Sequence, residues 1–73
     1  MRYFFDLKDG GLEQDTAGSE LAGAQAAQLE AIRFAGEVLK NEPYKLDQGS
    51  MRVEVRDEND TTRFAIEVFL RQG

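Results

Sequence analysis

The chain has 73 residues, a formal charge of −5, and neither cysteine nor histidine. Disulfides and thiolate metal sites are excluded, and with them the commonest transition-metal ligand and the usual general base. The acidic total weighs against nucleic-acid binding, which needs a basic footprint, and against an anionic membrane surface.

At this length residues 1–73 make a single domain, and a small one, whose core gives it little stability to spare. No apolar run approaches the length of a transmembrane helix. The opening Met1-Arg2-Tyr3-Phe4-Phe5-Asp6 reaches an acid too soon for a signal peptide, so a cytoplasmic location is expected.

Arg2 to Lys8 predicts an aromatic-rich strand. Tyr3, Phe5 and Leu7 point to one face, Phe4 and Asp6 to the other. Asp9-Gly10-Gly11 ends it as a turn. Leu12 to Gln14 reads as a short return strand, closed by Asp15-Thr16-Ala17-Gly18. Ser19-Glu20-Leu21 then leads into a helix.

Ala24 to Glu42 has the helical period. Steps of 100° gather Ala24, Ala27, Ala31, Ile32, Ala35, Val38 and Leu39 on one arc, with Phe34 at its edge. Glu30, Arg33, Glu37, Lys40 and Asn41 share the opposite arc, where Arg33 can pair with Glu30 or Glu37. Gln28 is the misfit in the apolar arc. The alanines bring the helix axis close to whatever it covers, and a sheet is the expected partner. Gly23 serves as N-cap, with Ser19 as the alternative, and Pro43 stops the helix. Gly36 is an interior flaw worth about 1 kcal/mol against alanine.

Beyond Pro43, Tyr44 and Leu46 are expected beneath the helix end, followed by the polar loop Asp47-Gln48-Gly49-Ser50. The remainder is a hairpin. Met51, Val53 and Val55 alternate with Arg52, Glu54 and Arg56. Phe64, Ile66, Val68 and Leu70 alternate with Ala65, Glu67, Phe69 and Arg71. A two-residue Asn59-Asp60 turn of type I′ sets Val55 against Phe64, Val53 against Ile66, Met51 against Val68 and Arg52 against Glu67. It also sets Arg56 against Arg63, a like-charge cost.

The predicted fold is therefore α+β: β-β-α-β-β in one domain, an amphipathic helix packed on one face of a small, mainly antiparallel sheet. The other face is expected to be polar apart from Phe4, Phe69 and the small Ala65.

These elements carry a resemblance. Arg2-Tyr3-Phe4-Phe5-Asp6, Asp9-Gly10, Asp15 to Gly18 and Glu20-Leu21 come first. Ala26-Ala27 with Glu30-Ala31 and then Val53-Glu54-Val55-Arg56-Asp57-Glu58 follow in order. Over nearly the whole chain this resembles a family of short uncharacterised proteins, known mainly from alphaproteobacterial sources and classed as a domain of unknown function. Members often carry proline and aspartate where this chain has Ala22-Gly23, and glycine where Asp60 stands. The resemblance implies a bacterial protein of this architecture with no catalytic motif.

Candidate chemistry is sparse. Asp6, Asp9, Glu13 and Asp15 cluster near the first turn, and Asp57, Glu58 and Asp60 at the second. Neither has the spacing of a calcium loop, so both read as turn formers and solvated charges, with no metal and no cofactor expected. Asp9-Gly10-Gly11 lacks the lysine and following helix of a phosphate loop. Ser19 and Ser50 lie outside any nucleophile motif, and the chain is expected not to be an enzyme. A nucleic-acid site would require Arg2, Arg52, Arg56, Arg63 and Arg71 to gather into one strip. Phe4, Ala65 and Phe69 are the candidate interface, an apolar patch on the outer face that joins two copies as a homodimer or grips a protein partner. The expected function is thus a non-catalytic interaction module. The alternative is a small-molecule sensor with its ligand between helix and sheet.

Overall fold

The structure is a computed structural model describing residues 1–73. Strand β1 (Arg2–Lys8) has neighbours on both sides. On one side runs β4 (Ser50–Asp57), in antiparallel register from Tyr3 opposite Asp57 to Lys8 opposite Arg52. On the other side lie two fragments, β2 (Leu12–Glu13) and β3 (Ser19–Glu20), also antiparallel. Strand β5 (Thr62–Phe69) completes the sheet on the outer edge of β4. The expected β-β-α-β-β order holds, with one addition. The segment leading to the helix forms β3, so β2 and β3 act as two halves of one interrupted edge strand.

The interruption is bridged by a side chain. Asp15 Oδ2 accepts the backbone N–H of Phe5, which faces the gap between β2 and β3. Asp15 Oδ1 takes the N–H groups of Ala17 and Gly18, closing the loop on itself. Gly18 has φ +73°, and a Cβ there would lie 2.8 Å from Phe4 Cε2 and 2.9 Å from Arg2 Cγ. Glycine is required both by the backbone and by the close approach.

The hairpin keeps the predicted register by an unpredicted route. Val55 faces Phe64, Val53 faces Ile66, Met51 faces Val68 and Arg52 faces Glu67. The turn is not the two-residue Asn59-Asp60 type. Asp57 N–H donates to Thr61 O and Asp60 N–H to Asp57 O, and Asp60 has φ +63°, which makes a three-residue loop ending in a left-handed residue. Beyond it Arg56 faces Thr62, and a bulge at Arg63 restores the register. Longer loop and extra residue cancel, and the expected Arg56–Arg63 clash is not formed.

Helix α1 (Ala24–Asn41) begins after Gly23, which has an extended backbone and provides no side-chain cap. It buries Ala27, Ala31, Ala35 and Val38 against Tyr3, Phe5, Leu7, Met51, Val53 and Val55. Phe34 and Leu39 pack at the margins of this core. The buried arc is narrower than the apolar arc in the sequence: Ala24 and Ile32 are exposed, and so is the misfit Gln28. Arg33 pairs with Glu30 at 3.8 Å, while Glu37 takes a hydrogen bond from Asn41 instead. Pro43–Leu46 forms a 3₁₀ turn in which Leu46 meets the core. Tyr44 departs from expectation, standing exposed with its hydroxyl donating to Glu42.

Candidate functional site

The outer face is organised by Arg56, next to Phe4's position on the neighbouring strand. Its Nε donates to Asp6 Oδ2 at 2.8 Å, Nη2 to Asp15 O at 2.7 Å and Nη1 to Asp60 Oδ1 at 3.2 Å. Asp6 Oδ1 accepts the Asp15 N–H. The guanidinium also lies 4.6 Å from the centre of the Phe4 ring. Asp6 is thus a buried partner of Arg56, not the solvated charge its sequence position implied. This network pins the Asp15 loop to the sheet.

It also changes the predicted patch. Phe4 sits opposite Arg56 and is half-covered by it, whereas Phe69 sits opposite Ser50 at the far end of β4. Six residues of strand, about 20 Å, part them. The structure does not bring Phe4 and Phe69 together. Ala65 and Phe69 share β5, both exposed, with Glu67 between them.

Several other charges are engaged locally. Lys45 bridges Asp9 at 3.2 Å and Glu13, tying the 3₁₀ turn to the β1–β2 turn, and those carboxylates, Glu13 foremost, raise its pKa. Asp57 is buried, and its Oδ1 accepts the N–H groups of Asn59 and Thr61 while Oδ2 meets Arg63 at 3.2 Å. The Thr61 N–H, with Asn59 and Arg63 in support, holds its carboxyl below the usual aspartate value. For Asp15, burial pushes upward but is outweighed by the N–H groups of Gly18, Phe5 and Ala17 and by Arg56. Arg2 pairs with Glu20, Arg52 with Glu54 and Glu67, and Arg56 and Arg63 with aspartates, so no basic strip forms among them. No group of three or more acidic side chains is arranged to hold a metal ion.

Three open features remain, the first a depression of about 400 Å³ at the Ser50 end of β4, among Lys8, Gln48, Arg52, Glu67 and Phe69. A groove of about 380 Å³ runs between α1 and the β1 edge, where Phe5, Leu7 and Phe34 are joined by Glu13, Asp15 and Glu30. Elsewhere on α1 the large apolar side chains Leu29 and Ile32 are 51% and 55% exposed. Glu30 and Phe34 lie on the groove side of the buried alanine line, so at 100° per residue Leu29 points away from the sheet, while Ile32 and the half-buried Leu39 fall on the β5 side. Beside them Phe64, Ile66 and Val68 are only half-buried, and the outer edge of β5 pairs with nothing. The sequence placed Ile32 in the core and did not single out Leu29. Their i, i+3 spacing, offset from the alanine line, is the signal that an arc this broad exceeds what one sheet can cover.

A family model described as a domain of unknown function, DUF6894, matches residues 2–69. The chain belongs to the DUF6894 family. No curated protein and no solved structure matches it. The matched span runs from the first residue of β1 to the last of β5, so the DUF6894 unit includes the interrupted edge, the helix and the bare edge alike. No helix in it is long and apolar enough to cross a membrane.

Proposed function

We propose that this DUF6894 domain is a non-catalytic interaction module acting through β5 and the Ile32 flank of α1. The observation that carries this reading is the exposure of Ile32 directly beside a strand with a bare edge. Apolar area and unpaired backbone in one place are what a protein partner covers. Of the three residues expected at the interface, Ala65 and Phe69 lie on this flank and Phe4 does not. A non-catalytic role is supported by the lack of histidine and cysteine and by the engagement of Asp6, Asp15 and Asp57 with N–H groups and arginines. The module's proposed setting is the bacterial cytoplasm; the bacterial and alphaproteobacterial origin rests on the sequence resemblance. The test is a photo-crosslinking residue placed at Ile32 or, on the opposite side of α1, at Glu37, in living bacteria. Adducts from position 32 and not 37 support the module; equal silence at both removes its basis.

A second reading, a small-molecule sensor, is favoured by the groove beside Phe34. Ala27, Ala31 and Ala35 are packed tight on the sheet and leave no room there, so the ligand would lie to the side. Aromatic and carboxylate lining suits a small organic cation. Benzylamine raising the melting temperature of the native chain but not of Glu30→Gln is the expected result.

A further inference from the structure

Resting on the interaction reading, we propose that the partner is a second copy of this chain, its β5 running antiparallel to the first about a two-fold axis at Ile66. Leu70 N–H donates to Gly49 O, which fixes the phase of the strand. Residues 64, 66 and 68 turn their backbone groups toward β4, and Ala65, Glu67 and Phe69 turn theirs outward. A second β5 can take up those groups.

Charge and regularity select the register. An axis at Glu67 sets that carboxylate against its own copy and Arg63 against Arg71. An axis at Ala65 forces the pairing through the bulge at Arg63. The axis at Ile66 uses only the regular stretch Phe64–Val68. It sets Phe64 opposite Val68, Ile66 opposite itself and Glu67 opposite Ala65, with no like charges facing.

The second layer closes with the first. Helix α1 lies across β4 and β5, so two copies bring their helices within two to three strand spacings, roughly 10–14 Å. That is just beyond the ~8–10 Å of directly packed helices, a gap that large side chains fill. Ile32 is the side chain that reaches into it. The paired stretch, five residues long and two layers deep, measures roughly 17 by 20 Å, on the order of 700 Å² for the pair, which is the size of a weak, concentration-dependent contact.

The test combines sedimentation, disulfide trapping and hydrogen exchange. The chain has no cysteine, so Ile66→Cys introduces a single thiol at a non-hydrogen-bonded pair, where Cα atoms about 4.5 Å apart can be bridged. Ile66→Cys is expected to form a covalent dimer under mild oxidation, with Glu37→Cys as the unlinked control. In the unaltered chain, exchange of the Ala65 and Glu67 amides is expected to slow by roughly tenfold or more between dilute and concentrated samples. A sedimenting dimer whose Ala65 and Glu67 amides stay fast overturns β5 pairing while leaving the interaction module standing. Adducts from position 32 containing only a different protein overturn the second copy. A single-chain mass at all concentrations overturns it as well. If Ile66→Cys does not fold, the exchange measurement decides.

Discussion

Asp15 Oδ2 accepts the backbone N–H of Phe5 at 3.2 Å and so replaces the carbonyl that a continuous edge strand would have supplied. The same carboxylate closes its own loop through Ala17 and Gly18. Asp15→Ala leaves three N–H groups without their acceptor and is expected to cost about 1–3 kcal/mol. Hydrogen exchange should show the Phe5 amide quickening ahead of the β4 amides.

Two glycines are expected to respond in opposite senses to alanine. Gly18→Ala meets both a positive φ and the Phe4 ring, and is expected to lose about 1–3 kcal/mol. Gly36→Ala meets no neighbour within 4 Å on the helix and is expected to gain about 1 kcal/mol. Urea denaturation of dilute samples checks the pair.

Gly23 has an extended backbone, open space within 4 Å of where a Cβ would stand, and no acidic residue in the turn that follows. Gly23→Asp supplies an acceptor for the first helical N–H groups and a charge of the right sign, and is expected to add about 0.5–1 kcal/mol. A higher melting temperature with unchanged helix content is the readout.

Asp60 holds φ +63° as the last residue of the hairpin loop. Asp60→Gly removes that strain at the cost of one exposed contact to Arg56, and is expected to stabilise by up to about 1 kcal/mol. Asp60→Val, branched at Cβ, should destabilise the hairpin, as nuclear magnetic resonance of the Arg56 and Thr62 amides would show.

Acid should unfold the domain. The carboxyls of Asp57 and Asp15 sit below their ordinary value of 3.8 in the folded chain, so the unfolded chain binds protons first as pH falls. Their stabilising contribution is full well above pH 3.8 and drains away as pH drops past it through the lowered folded values. Asp57→Asn removes part of that dependence, flattening stability against pH in a denaturation series.

Much of this architecture is legible in the residues. The alternation from Met51 to Val55 and from Phe64 to Leu70 dictates the hairpin register, because a one-residue slip puts valines against charges. Pro43 and the alanine periodicity bound the helix. Other features depend on contacts distant in sequence. No local pattern shows that Asp6 and Arg56, fifty positions apart, meet, or that a longer loop and a bulge at Arg63 compensate each other. The helical wheel gives the order of Ile32 and Ala31 around the axis but not where the axis sits over the sheet. That position decides that Ile32 is exposed. The separation of Phe69 from Phe4 likewise follows from the pairing of β1, β4 and β5, which no single strand encodes.

The chain breaks one rim of its sheet into the short strands β2 and β3, bridged by the Asp15 carboxylate, and runs the other as the unbroken β5. A molecule whose one long border is taken up by a neighbour has only fragments left to offer a third. Paired as proposed, such an object would close on itself, and the break at its own Asp15 loop would keep it from growing into a fibre.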